Sequence, residues 1–478
     1  MSVFETVIGL EVHLQLNTKT KIFCSCANQY GCAPNTNVCP VCLGLPGTLP
    51  VLNNQALLSA IKVGLALNAE INPFIKFDRK NYYYPDLPKG YQISQFDFPV
   101  AKKGYLKIKS SGQEKHIGIT RAHLEEDAGK LVHDNSGSCS LADFNRTGTP
   151  LIEIVTEPDL RSPQEAYDYL HTLKLTLQYL GVSDCDMEKG SLRCDANVSI
   201  RPAGQTTLGT KTELKNMNSF RAVKTALEYE VRRHEQVITA GGKIIQETLL
   251  WDDEKAQTRT MRSKEQAHDY RYFPDPDLVP FTIDYKIIDG VRAELPELPQ
   301  AKFLRFLSQF GLTEYDANIL VADNSMADFF EAALKEYPHA KKIANWLGGP
   351  VLMELNNRKL SINELKISPK GLVELIAKVE DGLVSNLVGK EVLTLMLDEG
   401  KSADTVIKEK GLAQVSDDGA LLGIIDEIIA QNAAVVEQVK AGKTNGIGFL
   451  VGQAMKKSGG RANPKKLNEL ITQRISGA

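Results

Sequence analysis

At Glu294–Pro299 (ELPELP) the hydrophobic period of the chain changes, and no other feature limits its architecture so strongly. Up to roughly Gly290, apolar and polar residues alternate over short runs broken by Gly, Pro, Asn and Asp, the pattern of half-buried strands. Val7–Leu16, Tyr105–Lys109, Leu151–Thr156 and Arg193–Ile200 are the strand candidates. Two helices interrupt them. One opens with Ser162, Pro163 and Glu165, a capping box with proline at the first helical position, and closes at Gly181. The other follows Ser219 and runs to Gly241–Gly242. Beyond ELPELP the pattern is helical throughout. Ser325 with Asp328 signals one helix start. Ser368 and Pro369 signal another, whose Leu372, Leu375, Ile376 and Val379 share a face before Gly382 ends it. A chain of 478 residues is too long for one ordinary core, so an α+β protein of several domains is expected, with a last joint near Gly411–Gly419.

Hydrophobic residues at 42% and charged residues at 24% are ordinary for a soluble globular protein. No apolar run is long enough to cross a bilayer, and Met1–Glu5 starts no signal peptide, which predicts a cytoplasmic protein. A net charge of −3 excludes nucleic-acid binding by bulk charge. The last stretch differs: Lys440, Lys443, Lys456, Lys457, Arg461, Lys465, Lys466 and Arg474 face only Glu437 and Glu469 between Ala433 and Ala478. That surplus suits phosphates, although a solvated lysine-rich helix pair has the same composition.

Five of the eight cysteines lie between Cys24 and Cys42. Cys24-x-Cys26 and Cys39-x-x-Cys42, twelve residues apart, match a tetrathiolate zinc site, with Pro40 and Gly44 suited to the knuckle turn and Cys32 spare. Nothing nearby offers an open coordination position, so this zinc is read as structural.

Acidic residues recur in the strand candidates. In VIGLEVHLQL (Val7–Leu16), Leu10, Val12, Leu14 and Leu16 point one way, and Gly9, Glu11, His13 and Gln15 the other. In Leu151–Glu157, Leu151, Glu153, Val155 and Glu157 share a face opposite Ile152 and Ile154; in Arg193–Ile200, Arg193, Asp195 and Asn197 do. Thr120–Lys130 packs His123, Glu125, Glu126 and Asp127 together. Carboxylates among apolar neighbours need cations beside them, and magnesium takes few protein carboxylates, filling its shell with water and phosphate oxygens. Phe77–Gln95 sets Arg79, Lys80 and Lys89 among four tyrosines, a composition suited to phosphate and nucleotide contacts. A Walker A loop is absent: Gly442-Lys443-Thr444 lacks its earlier glycine, the position being Glu437.

These segments resemble the B subunits of the bacterial aspartyl/glutamyl-tRNA(Asn/Gln) amidotransferase family. The resemblance is carried by VIGLEVHLQL, the CSC…CPVCLGLPG knuckles, FDRKNYYYPDLPKGYQISQ, HLEEDAGK, NRTGTPLIEIVTEPD, GSLRCDANVSIRP, ELKNMNSF, DYRYFPDPDLVP and GFLVGQAMKKSGGRANP, in family order from end to end. It implies a cradle-shaped mixed α/β domain over 1–293 with a zinc knuckle at 24–42, a helical domain over 294–405, and a small helical tail over 406–478 that touches tRNA. It implies ATP- and magnesium-dependent phosphorylation of the side-chain carboxylate of Glu-tRNA(Gln) or Asp-tRNA(Asn). Amidation would follow, with ammonia channelled from a glutamine-hydrolysing amidase subunit in a heterotrimer completed by a small third subunit. Carried over by position, the magnesium and activation site is Glu11, His13, Glu126, Glu153 and Asp195. The choice of Glu126 over Glu125 rests on the family alone. Arg79 and Lys80 are candidates for phosphate contact or the channel mouth, and Lys456, Lys457, Arg461, Lys465 and Lys466 for tRNA. Zinc falls to Cys24, Cys26, Cys39 and Cys42; since some members lack these cysteines, zinc stands outside the shared chemistry. Two other readings are weighed. A non-catalytic zinc-containing RNA-binding module leaves the carboxylates without purpose, and a stand-alone metal-dependent hydrolase leaves the basic tail unexplained.

Overall fold

The alternation of Val7–Leu16 builds the central strand of the main sheet, β1 (Phe4–Gln15), whose Leu10, Val12 and Leu14 are at most 1% exposed. Burying each such side chain contributes about 1.5–3 kcal/mol, which fixes the strand's face and register. The computed structural model describes residues 3–133, 139–263, 270–413, 418–440, 445–459, 462 and 464–476.

Eight further strands complete the sheet: β2 (Glu70–Ile71), β3 (Ala101–Ser110), β4 (Gln113–Glu126), β5 (Pro150–Thr156), β6 (Leu192–Pro202), β7 (Thr212–Lys215), β8 (Glu247–Asp252) and β9 (Gln257–Ser263). Their order is β9-β8-β7-β6-β1-β5-β4-β3-β2, with β7 and β8 parallel and the other neighbours antiparallel. Five described helices belong to this part: α1 (Pro40–Leu43), α2 (Asn54–Ala66), α3 (Pro163–Tyr179), α4 (Phe220–Thr239) and α5 (Tyr285–Ala293). Leu173 and Leu177 of α3 and Val223 and Leu227 of α4 share one core with Leu10, Val12 and Leu14, so helices cover the apolar face of the sheet. Its opposite face keeps the polar residues.

The caps explain where the helices begin. Ser162 accepts a hydrogen bond from the Glu165 amide, and Pro163 occupies the first turn. The expected reciprocal bond is not made: the Glu165 carboxylate accepts from the Arg161 amide and from Lys115 instead. Ser219 caps α4 through the Ala222 amide.

The chain divides into two compact units, Met1–Leu298 and Pro299–Ala478, the break falling inside ELPELP. In the second unit every described element is helical. Ser368 caps Pro369–Glu380, and Leu372, Leu375, Ile376 and Val379 are buried as their spacing predicts. The helix expected at Ser325 starts earlier: Asp323, whose carboxylate reaches the Met326 amide, caps Asn324–Glu336. Asp is as good an acceptor there as Ser, so spacing alone did not choose between them. The joint expected at Gly411–Gly419 lies partly outside the described residues. Beyond it Leu421, Ile425, Leu450, Leu467 and Ile471 form a core of their own. No described helix is long and apolar enough to cross a membrane.

Candidate functional site: a carboxylate-rich sheet face and a cysteine knuckle

Strand pairing converts four separate sequence alternations into one polar surface. Glu11 lies opposite Asp195 and His13 opposite Arg193 across β1 and β6. On the other side His13 lies opposite Glu153 of β5, and Glu153 opposite His123 of β4. Glu213 of β7 joins as the register partner of Asn197.

Two groups of ligand-type side chains result, each with its donor atoms within 4.8 Å of one another: His13, Glu125 and Glu153, and Glu11, Asp195 and Glu213. In the first, His13 Nε2 stands 3.6 Å from Glu153 and 3.8 Å from Glu125, while His123 Nε2 stands 3.4 Å and 3.7 Å from the same two carboxylates. Burial alone would raise the Glu153 carboxyl, but His123, then His13 and Lys80, hold it well below the usual range. Burial would likewise favour neutral His13, but the hydrogen bond and charge of Glu153, with Glu125, raise its affinity for a proton. In the second group Lys215 pairs with Asp195 and lies 2.9 Å from Glu213. Asn197 donates to Glu11 at 3.0 Å, and Thr248 to Glu213 at 2.8 Å. Glu11 is pushed up, first by burial and then by the charges of Glu153, Asp195 and Glu213, with Lys215 opposing. Burial thus disfavours the Glu11 charge and three neighbouring carboxylates add to that, which a divalent cation would relieve. Beside Glu11 a cleft of about 260 Å³ opens, lined by Gly9, Pro158, Asn197, Gly209 and Lys211 among others.

Four of the five expected activation residues, Glu11, His13, Glu153 and Asp195, therefore fall in these groups, and Glu126 does not. Side chains one apart on a strand face opposite ways, so Glu125 joins His13 and Glu153 while Glu126 turns to Lys89 and accepts from the Ile93 amide at 2.9 Å. Glu213 and Lys215 were missed because β7 is only four residues long and gives little alternation to read. His123 was visible as a neighbour of Glu125, but its place beside Glu153 depends on the pairing of β4 with β5.

The two basic candidates separate as well. Arg79 donates to Asp275 at 2.8 Å and Asp277 at 2.9 Å and stacks on Tyr91. Lys80 instead lies by the first carboxylate group. Burial would favour its neutral amine, but the charges of Glu125, then Tyr272, Glu153 and Tyr270, keep it protonated above the ordinary lysine range.

In the knuckle, Cys42 Sγ lies 3.6 Å from Cys24, 3.7 Å from Cys39 and 3.8 Å from Cys26. Four thiolates at about 2.3 Å from zinc form a tetrahedron with edges of about 3.8 Å, so the sulfurs fit that ion without rearrangement. Cys32 stands apart from this group. Gly44 ends α1 at a φ of +66°, and a Cβ there would lie 2.3 Å from Lys89 Cγ, so both conformation and space demand glycine. Of the tail residues, Lys456 and Lys457 are exposed on the helix Asn445–Lys457, with Lys457 paired to Glu427. Lys466 is half-buried on Pro464–Ser476. Arg461 and the Lys465 side chain lie outside the described residues.

Comparison with known families and proteins shows which family the chain belongs to. The GatB/GatE catalytic domain matches residues 6–289, and the GatB domain residues 328–475. The chain is 54% identical over 474 residues to the aspartyl/glutamyl-tRNA(Asn/Gln) amidotransferase B subunit of Moorella thermoacetica, covering 99% of this chain and 100% of that protein. It is 53% identical over 479 residues to the protein of that name in Carboxydothermus hydrogenoformans, covering 100% of both. With the protein of the same name from Desulfotalea psychrophila it shares 53% identity over 473 residues, 99% of each chain. Full-length similarity at this level places the chain in the family of aspartyl/glutamyl-tRNA(Asn/Gln) amidotransferase B subunits.

Proposed function

We propose that this chain activates and amidates the aminoacyl group of a misacylated tRNA as one component of a glutamine-hydrolysing ligase. The side-chain carboxylate of Glu-tRNA(Gln) or Asp-tRNA(Asn) attacks the γ-phosphorus of ATP, and the bond to the ADP oxygen breaks. Ammonia then attacks the acyl carbon of the resulting acyl phosphate, phosphate leaves with the C–O electron pair, and the nitrogen sheds a proton. The two carboxylate groups on one sheet face are the observation that carries this reading. Phosphoryl transfer asks a protein for positioned charge more than for covalent chemistry. Magnesium, when bound, would neutralise the phosphates and align the transferring group. Glu11, Asp195 and Glu213, and His13, Glu125 and Glu153, would hold it.

The roles of the chain's own residues follow from their surroundings. Lys80 supplies a fixed positive charge beside Glu125 and Glu153. The cleft at Gly9, Glu11 and Asn197 is our candidate for the nucleotide, with Lys211 at its edge. Lys456 and Lys457 would meet the tRNA backbone. Zinc in the four-cysteine knuckle would be structural. A glutamine amidase subunit would supply the ammonia, with a small third subunit completing a heterotrimer. A non-catalytic zinc-containing RNA-binding module is disfavoured, since it gives no reason to bury Glu125 and Glu153 beside two histidines.

The test is ATP consumption by the reconstituted complex with magnesium and Glu-tRNA(Gln) or Asp-tRNA(Asn). Turnover is expected to require the misacylated tRNA and to vanish in Glu153→Ala while tRNA still binds. Tight tRNA binding without turnover on either substrate would reject the proposal.

A further inference from the structure

Lys21 is a lysine with no exposed surface, and its ammonium is not turned toward a carboxylate. Its Nζ donates to the Asn37 carbonyl at 2.9 Å and to Cys42 Sγ at 3.4 Å. No described carboxylate forms an ion pair with it. A fully buried ammonium is costly unless an anion or several acceptors compensate it. A carbonyl and a neutral thiol compensate poorly, whereas a metal-bound thiolate compensates well. Cys42 is also the most buried of the four knuckle cysteines and lies near the other three.

A tetrathiolate around a divalent ion carries two net negative charges. On the exposed side water screens them; on the Cys42 side there is only protein. We infer that Lys21 is the internal counter-ion of the cysteine knuckle: its N–H donates to Cys42 Sγ, offsets one of the two charges, and slows release of the metal and attack on that sulfur. The Asn37 carbonyl fixes the ammonium's direction. Asn37 is itself held by the Asn145 side chain, which accepts from its amide at 2.8 Å. The inference rests on the knuckle holding zinc.

The experiment compares full-length wild-type protein with Lys21→Met, an unbranched side chain one atom shorter that removes the charge. Zinc content is measured first, by atomic emission, then the rate of zinc transfer to a chromogenic chelator and the rate of Cys42 alkylation by iodoacetamide. Wild type is expected to hold one zinc per chain. Removing a group that hydrogen-bonds a metal ligand typically costs about ten- to a hundredfold in metal affinity, and zinc loss from Lys21→Met should quicken by a factor in that range. In cobalt-substituted protein the thiolate-to-cobalt charge-transfer band should move, since the sulfur loses a donated hydrogen; a lysine that only fills space would leave it in place. Should Lys21→Met fail to fold, Lys21→Gln keeps a neutral donor on a side chain one bond shorter and reads the same rates. Equal zinc release and an unmoved band in the folded variant would overturn the role of Lys21 while leaving zinc intact. A wild-type protein without zinc would overturn the zinc reading itself, and the inference with it.

Discussion

His13 of β1 and Glu153 of β5 are direct register partners, and their side chains meet at 3.6 Å on the polar face of the sheet. The pair is tied to Glu125, which reaches His13 at 3.8 Å from the next strand but one. Because side-chain direction alternates, the same geometry excludes Glu126 from the group.

Glu125 and Glu126 should therefore fail differently. Glu125→Gln removes a ligand-type oxygen, and the magnesium concentration giving half-maximal ATP turnover should rise by about tenfold or more. Glu126→Gln leaves that midpoint in place and acts through Lys89, lowering the rate at saturating magnesium. Magnesium titrations of both variants decide the matter; a shift in Glu126→Gln alone would reverse the assignment.

A second prediction concerns Glu230 of α4, which is fully buried and accepts from Thr212, Thr258 and Arg233, with His234 at 3.4 Å. Burial would raise its carboxyl, but hydrogen bonds from His234, Arg233 and Thr258 bring it from 4.5 down to about 2. A depressed carboxylate stabilises the fold fully above its unfolded value and loses that contribution as pH falls through the folded one. Glu230→Ala should cost about 3–5 kcal/mol near neutral pH, by stranding buried partners. Urea titrations should show the gap to wild type narrowing below pH 4.5. A constant gap down to pH 2 would mean that packing, not charge, holds this helix to β7 and β9.

Arg79 and Lys80 are neighbours in sequence with different fates. Arg79→Met leaves Asp275 buried and charged, so it should destabilise the first unit by roughly 3–5 kcal/mol with little change in the KM for ATP. Lys80→Met should lower turnover by at least about tenfold and leave the melting temperature nearer to wild type. Steady-state kinetics and thermal melts of the two variants distinguish these outcomes, and similar kinetics for both would refute the separation.

The tail offers a test in salt. Lys456→Ala should weaken tRNA binding at every sequence and reduce the slope of log K against log salt by about 1. Lys457→Ala should change it less, because Glu427 already engages that ammonium. An unchanged slope for Lys456→Ala would place the tRNA contact elsewhere.

Much of this was legible before the fold was known, for physical reasons that can be named. The alternation of Val7–Leu16 set Glu11 and His13 on one face because β1 is long and one side of it is buried. The same rule oriented Glu153 and Asp195. The cysteine spacing read directly as a shell of four sulfurs, since two close pairs need only a turn to meet. What was not legible depended on partners distant in sequence. Glu213 reaches Glu11 only because β7 pairs with β6. Lys89 reaches Glu126, and Arg79 reaches Asp275, across 37 and 196 residues respectively. No local period records such contacts. Nor does a lysine at position 21 betray from its neighbours that it is wholly buried.

Gly44 gives the knuckle a meaning beyond its sulfurs. With no side chain of its own, it lets the end of α1 lie directly on the aliphatic stem of Lys89, whose ammonium holds Glu126. A side chain at position 44 would displace the Lys89 stem, so one contact fixes both the seat of the knuckle and the cation that Glu126 holds.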